Sequence, residues 1–312
     1  MSDYSPLAPG PFLAADWGTS NLRAWVLEPD GSVRDGRKFP WGVAKLQPGE
    51  ARTILESEVR PGLQAEVLPA ILCGMVGSAL GIAATPYVDC PVDARSLAGK
   101  LHRVSDEGPA AYIVPGLRAR RPNGDPDVIR GEETKVLGWL ALDPARREGR
   151  RVLCLPGTHC KWILIEDGRI ERFLTAMSGE LFDVLSHYSV LRSDEPADDE
   201  AAFDAGLEAG EEVGALASRL FAVRSRVVGG DMPADQARSY LSGLLIGDET
   251  AKMAAAFGLD AASGPVALLG EPHLCRWYQR ALGRLGLAVE TDAGDAPVLA
   301  GLHILFCEGT IR

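Results

Sequence analysis

The chain has 312 residues, 46% of them hydrophobic and 24% charged, with a formal net charge of −11. This composition supports a folded core and excludes a disordered or collagen-like chain, and the length favours two domains over one. The acidity argues against a nucleic-acid or anionic-membrane surface, and no stretch approaches the roughly 20 apolar residues of a membrane span. The N-terminal MSDYSPLAPGPF lacks the basic and long apolar regions of a secretory signal. Six cysteines occur without a Cys-x-x-Cys pair, which points to reduced thiols and a cytoplasmic protein. The five histidines show no metal-ligand spacing.

In chain order, the first apolar run, Phe12–Ala15, leads into Asp16-Trp17-Gly18-Thr19-Ser20-Asn21-Leu22-Arg23, then a strand-like stretch and Asp30-Gly31. Asp-Gly between two strand-like runs predicts a hairpin, because this pair accepts positive φ at low cost. Buried strands opening into loops are expected at residues 70–73 before Gly74, at 111–114 before Pro115-Gly116, and at 266–269 before Gly270. Arg118–Asp127, polar and carrying two prolines, is the expected domain junction, and residues 192–199 are an expected exposed loop. Residues 198–228 begin acidic and end basic with apolar spacings of three and four, which suits a helix. Residues 239–257 and 272–286 are predicted helices, with Pro272 in the first turn. Alternating strands and helices give an α/β architecture.

One pattern occurs twice. Val152–Leu155 is followed by Pro156-Gly157-Thr158-His159-Cys160-Lys161-Trp162, a second strand-like stretch and a second Asp-Gly at Asp167-Gly168. Each Gly-Thr turn offers backbone N–H groups and a hydroxyl suited to phosphate oxygens. Two of them suggest two related domains facing one ligand. Asp16, directly before the first turn, could hold Mg²⁺ through water or simply cap a turn; Lys161 and His159 could contact phosphate or serve as exposed structural residues. Asp127, Arg130, Glu132 and Glu133 cluster where a loop becomes a helix. A carboxylate there could take a proton from a sugar hydroxyl, or could simply favour the helix N-terminus electrostatically. Cys73–Gly81 is glycine-rich but lacks the G-x-G-x-x-G spacing, and the chain has no P-loop and no G-x-S-x-G elbow. Rossmann oxidoreductases, P-loop kinases and serine hydrolases therefore lose their local signatures.

Together these segments resemble the actin-like sugar kinase superfamily, and more specifically the 2-dehydro-3-deoxygalactonokinase family. The resemblance runs through DWGTSNLRAW, CGMVGS with PYVDCP, IVPGL, DVIRGEET, LPGTHCKW with DGRI, FLTAMSGELF and YLSGLLIGDE, in that order. Ser20 and Cys160 stand where Thr and Ser are expected, and Ile129 where Met is expected. The implied fold is α/β, with two related actin-like (ribonuclease H-like) domains and a nucleotide cleft between them. Residues 1–117 would form the substrate side and 118–297 the nucleotide side, with a C-terminal helix, 298–312, packing back on the first domain. The implied reaction is ATP-dependent phosphorylation of the 6-hydroxyl of 2-dehydro-3-deoxy-D-galactonate in galactonate catabolism. The alternatives are a kinase of another sugar or sugar acid and a non-catalytic sugar sensor; the cysteine-rich zinc motif of ROK-type hexokinases is absent.

Carried onto this chain, the resemblance assigns ATP contacts to Asp16, Gly18, Thr19, Ser20 and Arg23, to Gly157, Thr158, His159 and Lys161, and to Gly270. Asp16 would position Mg²⁺ through water. Glu132 is the expected base, with Asp127 in reserve and Arg130 on the substrate carboxylate or transferred phosphate. Trp41, Gly42, Met75, Ser78 and Tyr87 are the expected sugar-acid contacts. Partners are ATP and a small sugar acid, without nucleic acid or membrane, and a homodimer is compatible with the family.

Overall fold

The computed structural model describes residues 10–104, 108–194 and 196–310. The chain forms two compact units. The first comprises residues up to Gly149, Ile165–Arg172 and the chain from Asp295 onward; the second comprises Arg150–Leu164 and Phe173–Gly294.

In the first unit, β1 (Phe12–Trp17), β2 (Leu22–Leu27) and β3 (Val33–Phe39) form an antiparallel meander. Two short helices, α1 (Glu50–Ile54) and α2 (Arg60–Gly62), precede β4 (Ala70–Gly74), which runs parallel to β1. After β5 (Val88–Asp89), α3 (Ala94–Ala98) and β6 (His102–Arg103), β7 (Ala111–Ile113) pairs parallel with β4. The six-stranded order is β3-β2-β1-β4-β7-β6. β1 and β4 are apolar runs buried almost throughout, as expected for strands covered on both faces. β8 (Leu117–Arg120) and β9 (Pro126–Ile129) join β5 in a small second sheet. α4 (Glu132–Leu142) then leaves a glycine N-cap.

In the second unit, β10 (Arg150–Leu155), β11 (Cys160–Glu166) and β12 (Arg169–Ala176), the last two without their Ile165–Arg172 ends, which group with the first unit, lead to α5 (Ser178–Tyr188), α6 (Glu200–Glu211), α7 (Leu216–Gly229) and α8 (Ala237–Phe257). β13 (Val266–Leu269), α9 (Pro272–Arg284) and β14 (Val289–Asp292) complete it, with β13 parallel to both β10 and β14. The order β12-β11-β10-β13-β14 repeats the β3-β2-β1-β4-β7 order of the first unit. A hairpin-linked triplet followed by strands added beyond its first member is the ribonuclease H-like arrangement, present here twice. The last helix, α10 (Ala296–Thr310), belongs to the first unit, where it packs on α4 and α3; the final two residues of the expected 298–312 helix lie outside the described residues.

The helix crossings explain two glycine motifs. On α8, a Cβ at Gly243 would lie 2.0 Å from the Phe203 carbonyl oxygen, and one at Gly206 of α6 would lie 2.2 Å from the Tyr240 carbonyl oxygen. The SGLLIG segment is thus a helix-crossing surface. In the first unit, Gly138 of α4 and Gly301 of α10 meet in the same way.

Three expectations change. The junction at Arg118–Asp127 is instead the β8–β9 hairpin, and residues 118–149 group with the first unit because β8 pairs with β5 and α4 packs on α10. The helix expected over 198–228 is broken into α6 and α7 at Gly214, whose φ of +141° a helix cannot hold. The two Asp-Gly turns also differ. Asp167 (φ 46°) and Gly168 (φ 76°) form a tight two-residue turn, whereas Gly31 (φ 84°) closes a wider one in which Gly31 N–H donates to the Glu28 carbonyl.

Candidate functional site

The first turn is built on the end of β1. Gly18 N–H donates to the Asn21 carbonyl at 2.9 Å, closing a four-residue loop in which Thr19, Ser20 and Asn21 are exposed. A strap, residues 41–44, holds this loop from behind: Val43 N–H donates to Gly18 O and Ala44 N–H to Thr19 O, both at 3.1 Å. A Cβ at Gly42 would come 2.1 Å from the Ser20 carbonyl carbon, so only glycine fits. The indole of Trp17 donates to the Trp41 carbonyl. Gly42 therefore shapes the turn, and Trp41 keeps a partly exposed ring.

Asp16 is half-buried beside this turn. Arg23 bridges it to Asp295 at the start of α10. Burial pulls the Arg23 pKa down, but the Asp16 and Asp295 charges outweigh it and leave the guanidinium above its ordinary value. Arg23 thus occupies Oδ2 of Asp16, while Oδ1 lies 3.8 Å from the buried Cys73 thiol. Burial, then Asp16 and Glu133, push that thiol well up, so it stays protonated.

Two further elements of the unit, β4 and α4, converge here. Gly74 (φ 87°), at the end of β4, would place a Cβ 2.8 Å from Trp17 O and 3.3 Å from Asp16 Oδ1, and a Cβ at Gly131 (φ 108°) would lie 3.1 Å from the Gly74 Cα. The start of α4 is thereby pinned against the ends of β1 and β4. Glu132, partly exposed, accepts from Arg130 N–H at 2.9 Å. Glu133, fully buried, accepts Gly131 N–H at 2.9 and 2.7 Å with its two oxygens. Burial and the neighbouring Glu132 raise Glu133 to about 8, making it a neutral acid at neutral pH.

The expected substrate residues have defined structural duties. Arg130 donates to the Thr85 hydroxyl and carbonyl and lies 4.4 Å over the Tyr87 ring, tying α4 to the loop after β4. Ser78 donates to Met75 O at 2.7 Å and accepts from Leu80 N–H at 3.2 Å, closing the turn that carries Met75. Asp127 sits on β9, buried and ion-paired to Arg121 at 2.8 Å, rather than at the α4 start.

In the second unit, Gly157 has no neighbour within contact of an added Cβ, and Thr158 and His159 are exposed. The start of α5 leans on this turn. Glu180 N–H donates to Thr158 O at 2.9 Å, a Cβ at Gly179 would lie 2.3 Å from Gly157 O, and the Glu180 carboxylate pairs with His159. Lys161 is buried and donates to the Thr175 hydroxyl at 3.2 Å. Gly270, at the end of β13, faces Pro156, with 3.4 Å from an added Cβ to the Pro156 carbonyl oxygen. The second Gly-Thr turn and the Gly270 turn are thus neighbours at adjacent strand ends.

A model of the 2-keto-3-deoxy-galactonokinase family matches residues 16–305. The chain belongs to this family. A Rhizobium meliloti protein described as a probable 2-dehydro-3-deoxygalactonokinase is 37% identical over 300 residues, covering 94% of this chain and 95% of its own. The Escherichia coli 2-dehydro-3-deoxygalactonokinase is 35% identical over 294 residues, covering 94% and 96%. A crystal structure of a candidate 2-dehydro-3-deoxygalactonokinase from Sinorhizobium meliloti superimposes with a TM-score of 0.81 at 34% identity, covering 93% of this chain and 96% of that one. The family assignment spans both units and every segment that carried the resemblance.

Several site residues escaped sequence reasoning. Cys73, Thr85 and Asp295 are remote from their partners in sequence, and nothing local marks them. Glu133 was visible beside Glu132, but only the fold shows that one carboxylate is buried and the other partly exposed. Among the described residues, Cys154, Cys160 and Glu249 also bring three potential ligand atoms within 4.8 Å of one another.

Proposed function

We propose that this protein is an ATP-dependent kinase that phosphorylates the 6-hydroxyl of 2-dehydro-3-deoxy-D-galactonate. The observation that carries this reading is the close approach of Gly131, at the start of the Glu132-bearing α4, to Gly74, which in turn abuts Trp17 and Asp16 at the end of β1, in a chain matched by the family over residues 16–305. The loop that Gly18 closes presents the amides and hydroxyls of Thr19 and Ser20 as donors for phosphate oxygens in the first unit, as do Gly157 and Thr158, with His159 and Lys161, in the second. Gly270 leaves backbone room beside Pro156 for the nucleoside.

Asp16 suits a magnesium ion held through water: one oxygen is taken by Arg23, and the other lies 3.8 Å from a neutral thiol. Held there by Asp16, such an ion would supply charge neutralisation for the transferring phosphoryl group. Arg23 fixes the carboxylate's orientation. Glu132 takes the proton from the attacking hydroxyl, and its helix-start position keeps it within a fixed geometry of the first turn. Arg130, Met75, Ser78, Tyr87, Trp41 and Gly42 form or support the sugar-acid side, with Arg130 bracing the loop through Thr85. The protein acts in the cytoplasm without nucleic acid, and a homodimer fits the reading.

The test is a phosphorylation screen over 2-keto-3-deoxy sugar acids and common hexoses with ATP and Mg²⁺. The expected result is selective 6-phosphate formation from 2-dehydro-3-deoxygalactonate. A preference for a hexose would move the chain to another sugar, and ATP binding without any transfer would favour a sensor.

A further inference from the structure

Glu249 lies on α8, outside every turn assigned above, and is 5% exposed. Its carboxylate accepts three hydrogen bonds, each from a different element. The Trp162 indole on β11 donates to Oε1 at 2.7 Å; the Ser178 hydroxyl at the first residue of α5 and the Tyr278 hydroxyl on α9, at 3.0 Å, donate to Oε2. The surroundings keep these roles fixed. Burial, reinforced by Cys160, Glu249 and Cys154, pushes the Tyr278 phenol well up, so it remains a donor. Burial likewise raises the Cys154 and Cys160 thiols, whose sulfurs lie 3.5 Å apart in the same core.

These three elements are the ones that shape the second unit's turns. β11 begins directly after His159. The residue after Ser178 is Gly179, which packs against Gly157, and Glu180 holds the Thr158 carbonyl. α9 begins two residues after Gly270, and its Cys275 lies 3.4 Å from a Cβ at that glycine. A buried carboxylate that collects donors from β11, α5 and α9 sets the mutual placement of the Gly157-Thr158 turn and the Gly270 turn.

We propose that Glu249 is a positioning residue for nucleotide binding, holding the phosphate turn and the Gly270 turn of the second unit in register through Trp162, Ser178 and Tyr278. The inference rests on the reading that these turns bind ATP. Three donors on one carboxylate leave few lone pairs for a cation, so the Cys154–Cys160–Glu249 cluster acts here through hydrogen bonding.

The test uses the full-length protein and measures the ATP dissociation constant by calorimetry, KM for ATP and for the sugar acid, and thermal unfolding. Glu249→Gln can still accept from Trp162 with its amide oxygen while its NH₂ donates to the two hydroxyl oxygens, so it should bind ATP within a few-fold of the wild type. Glu249→Leu removes all three bonds and should weaken ATP binding by about ten- to a hundredfold, with the sugar-acid KM little changed. Should Glu249→Leu fail to fold, Tyr278→Phe and Ser178→Ala each delete one hydroxyl donor at nearly constant volume and should raise the ATP dissociation constant alone. Single-donor variants that unfold earlier yet bind ATP like the wild type would overturn the proposal, as would a folded Glu249→Leu with unchanged ATP affinity. A wild-type protein that does not bind ATP would instead overturn the function on which the proposal rests.

Discussion

Arg23 donates to Oδ2 of Asp16, and the two side chains face each other across directly paired positions of β1 and β2. The strand register therefore aims one oxygen of Asp16 at a cation already supplied by the chain and leaves the other for the ligand side. Asp16→Asn should keep the fold, because an amide oxygen can still accept from Arg23, but it lowers the charge available to a hydrated Mg²⁺. Turnover should fall by about 10²-fold or more, with partial recovery at high Mg²⁺. Steady-state assays across a Mg²⁺ series check this, and unchanged turnover would remove Asp16 from the metal site.

The buried carboxyl of Glu133 makes a prediction about stability. Its folded-state pKa, near 8, lies above the ordinary value of 4.5 because burial and Glu132 disfavour its charged form. A raised pKa means that the folded state binds the extra proton. Glu133 therefore contributes its full stability below the unfolded-state value, and that contribution is lost as pH rises toward and through about 8. Glu133→Gln has no proton to lose. Relative to the wild type, its unfolding midpoint should rise progressively from pH 5 to 8 and then level off; two parallel curves of midpoint against pH would refute this.

The fold was legible where local chemistry repeats. The double apolar-run, Gly-Thr and Asp-Gly pattern is the duplicated meander, and the residues 70–73, 111–114 and 266–269 runs are β4, β7 and β13. What stayed hidden depends on long-range pairing. Arg118–Asp127 looks like a linker by composition, yet β8 finds β5 nearly thirty residues earlier in the chain, through Val88↔Leu117. Gly42 was picked out because it follows the first hairpin; the close packing of its backbone behind Ser20 depends on a long-range contact that no local signal shows. Glu132 could be set ahead of Asp127 by its place after Gly131, but only the paired strand shows that Asp127 is engaged by Arg121.

The α6–α8 crossing gives a prediction separable from catalysis. Gly243 has no room for a side chain, since a Cβ would meet the Phe203 carbonyl oxygen at 2.0 Å. Gly243→Val must push the two helices apart and should cost about 3 kcal/mol of stability. Chemical denaturation reads the loss, and a midpoint equal to the wild type would show that the helices separate without penalty.

The base is the prediction with most at stake. Two carboxylates were candidates, and their surroundings now differ. Glu132 is partly exposed at the α4 start, and its only hydrogen bond among the described residues is to the Arg130 amide, which a ligand can replace or share. Asp127 is buried on β9 and held by Arg121 at 2.8 Å. Glu132→Gln preserves size and the acceptor for Arg130 N–H but cannot take a proton, so turnover should drop by roughly 10²–10⁴-fold with ATP binding retained. Asp127→Asn should act differently, weakening the Arg121 pair and costing about 1–3 kcal/mol of stability while the folded enzyme keeps most of its turnover. Paired measurements of turnover, ATP affinity and unfolding separate the two. If Asp127→Asn abolishes turnover in a stable protein and Glu132→Gln is active, the proton is taken at β9; if both variants stay active, the base lies elsewhere and the pinned start of α4 serves only to shape the site.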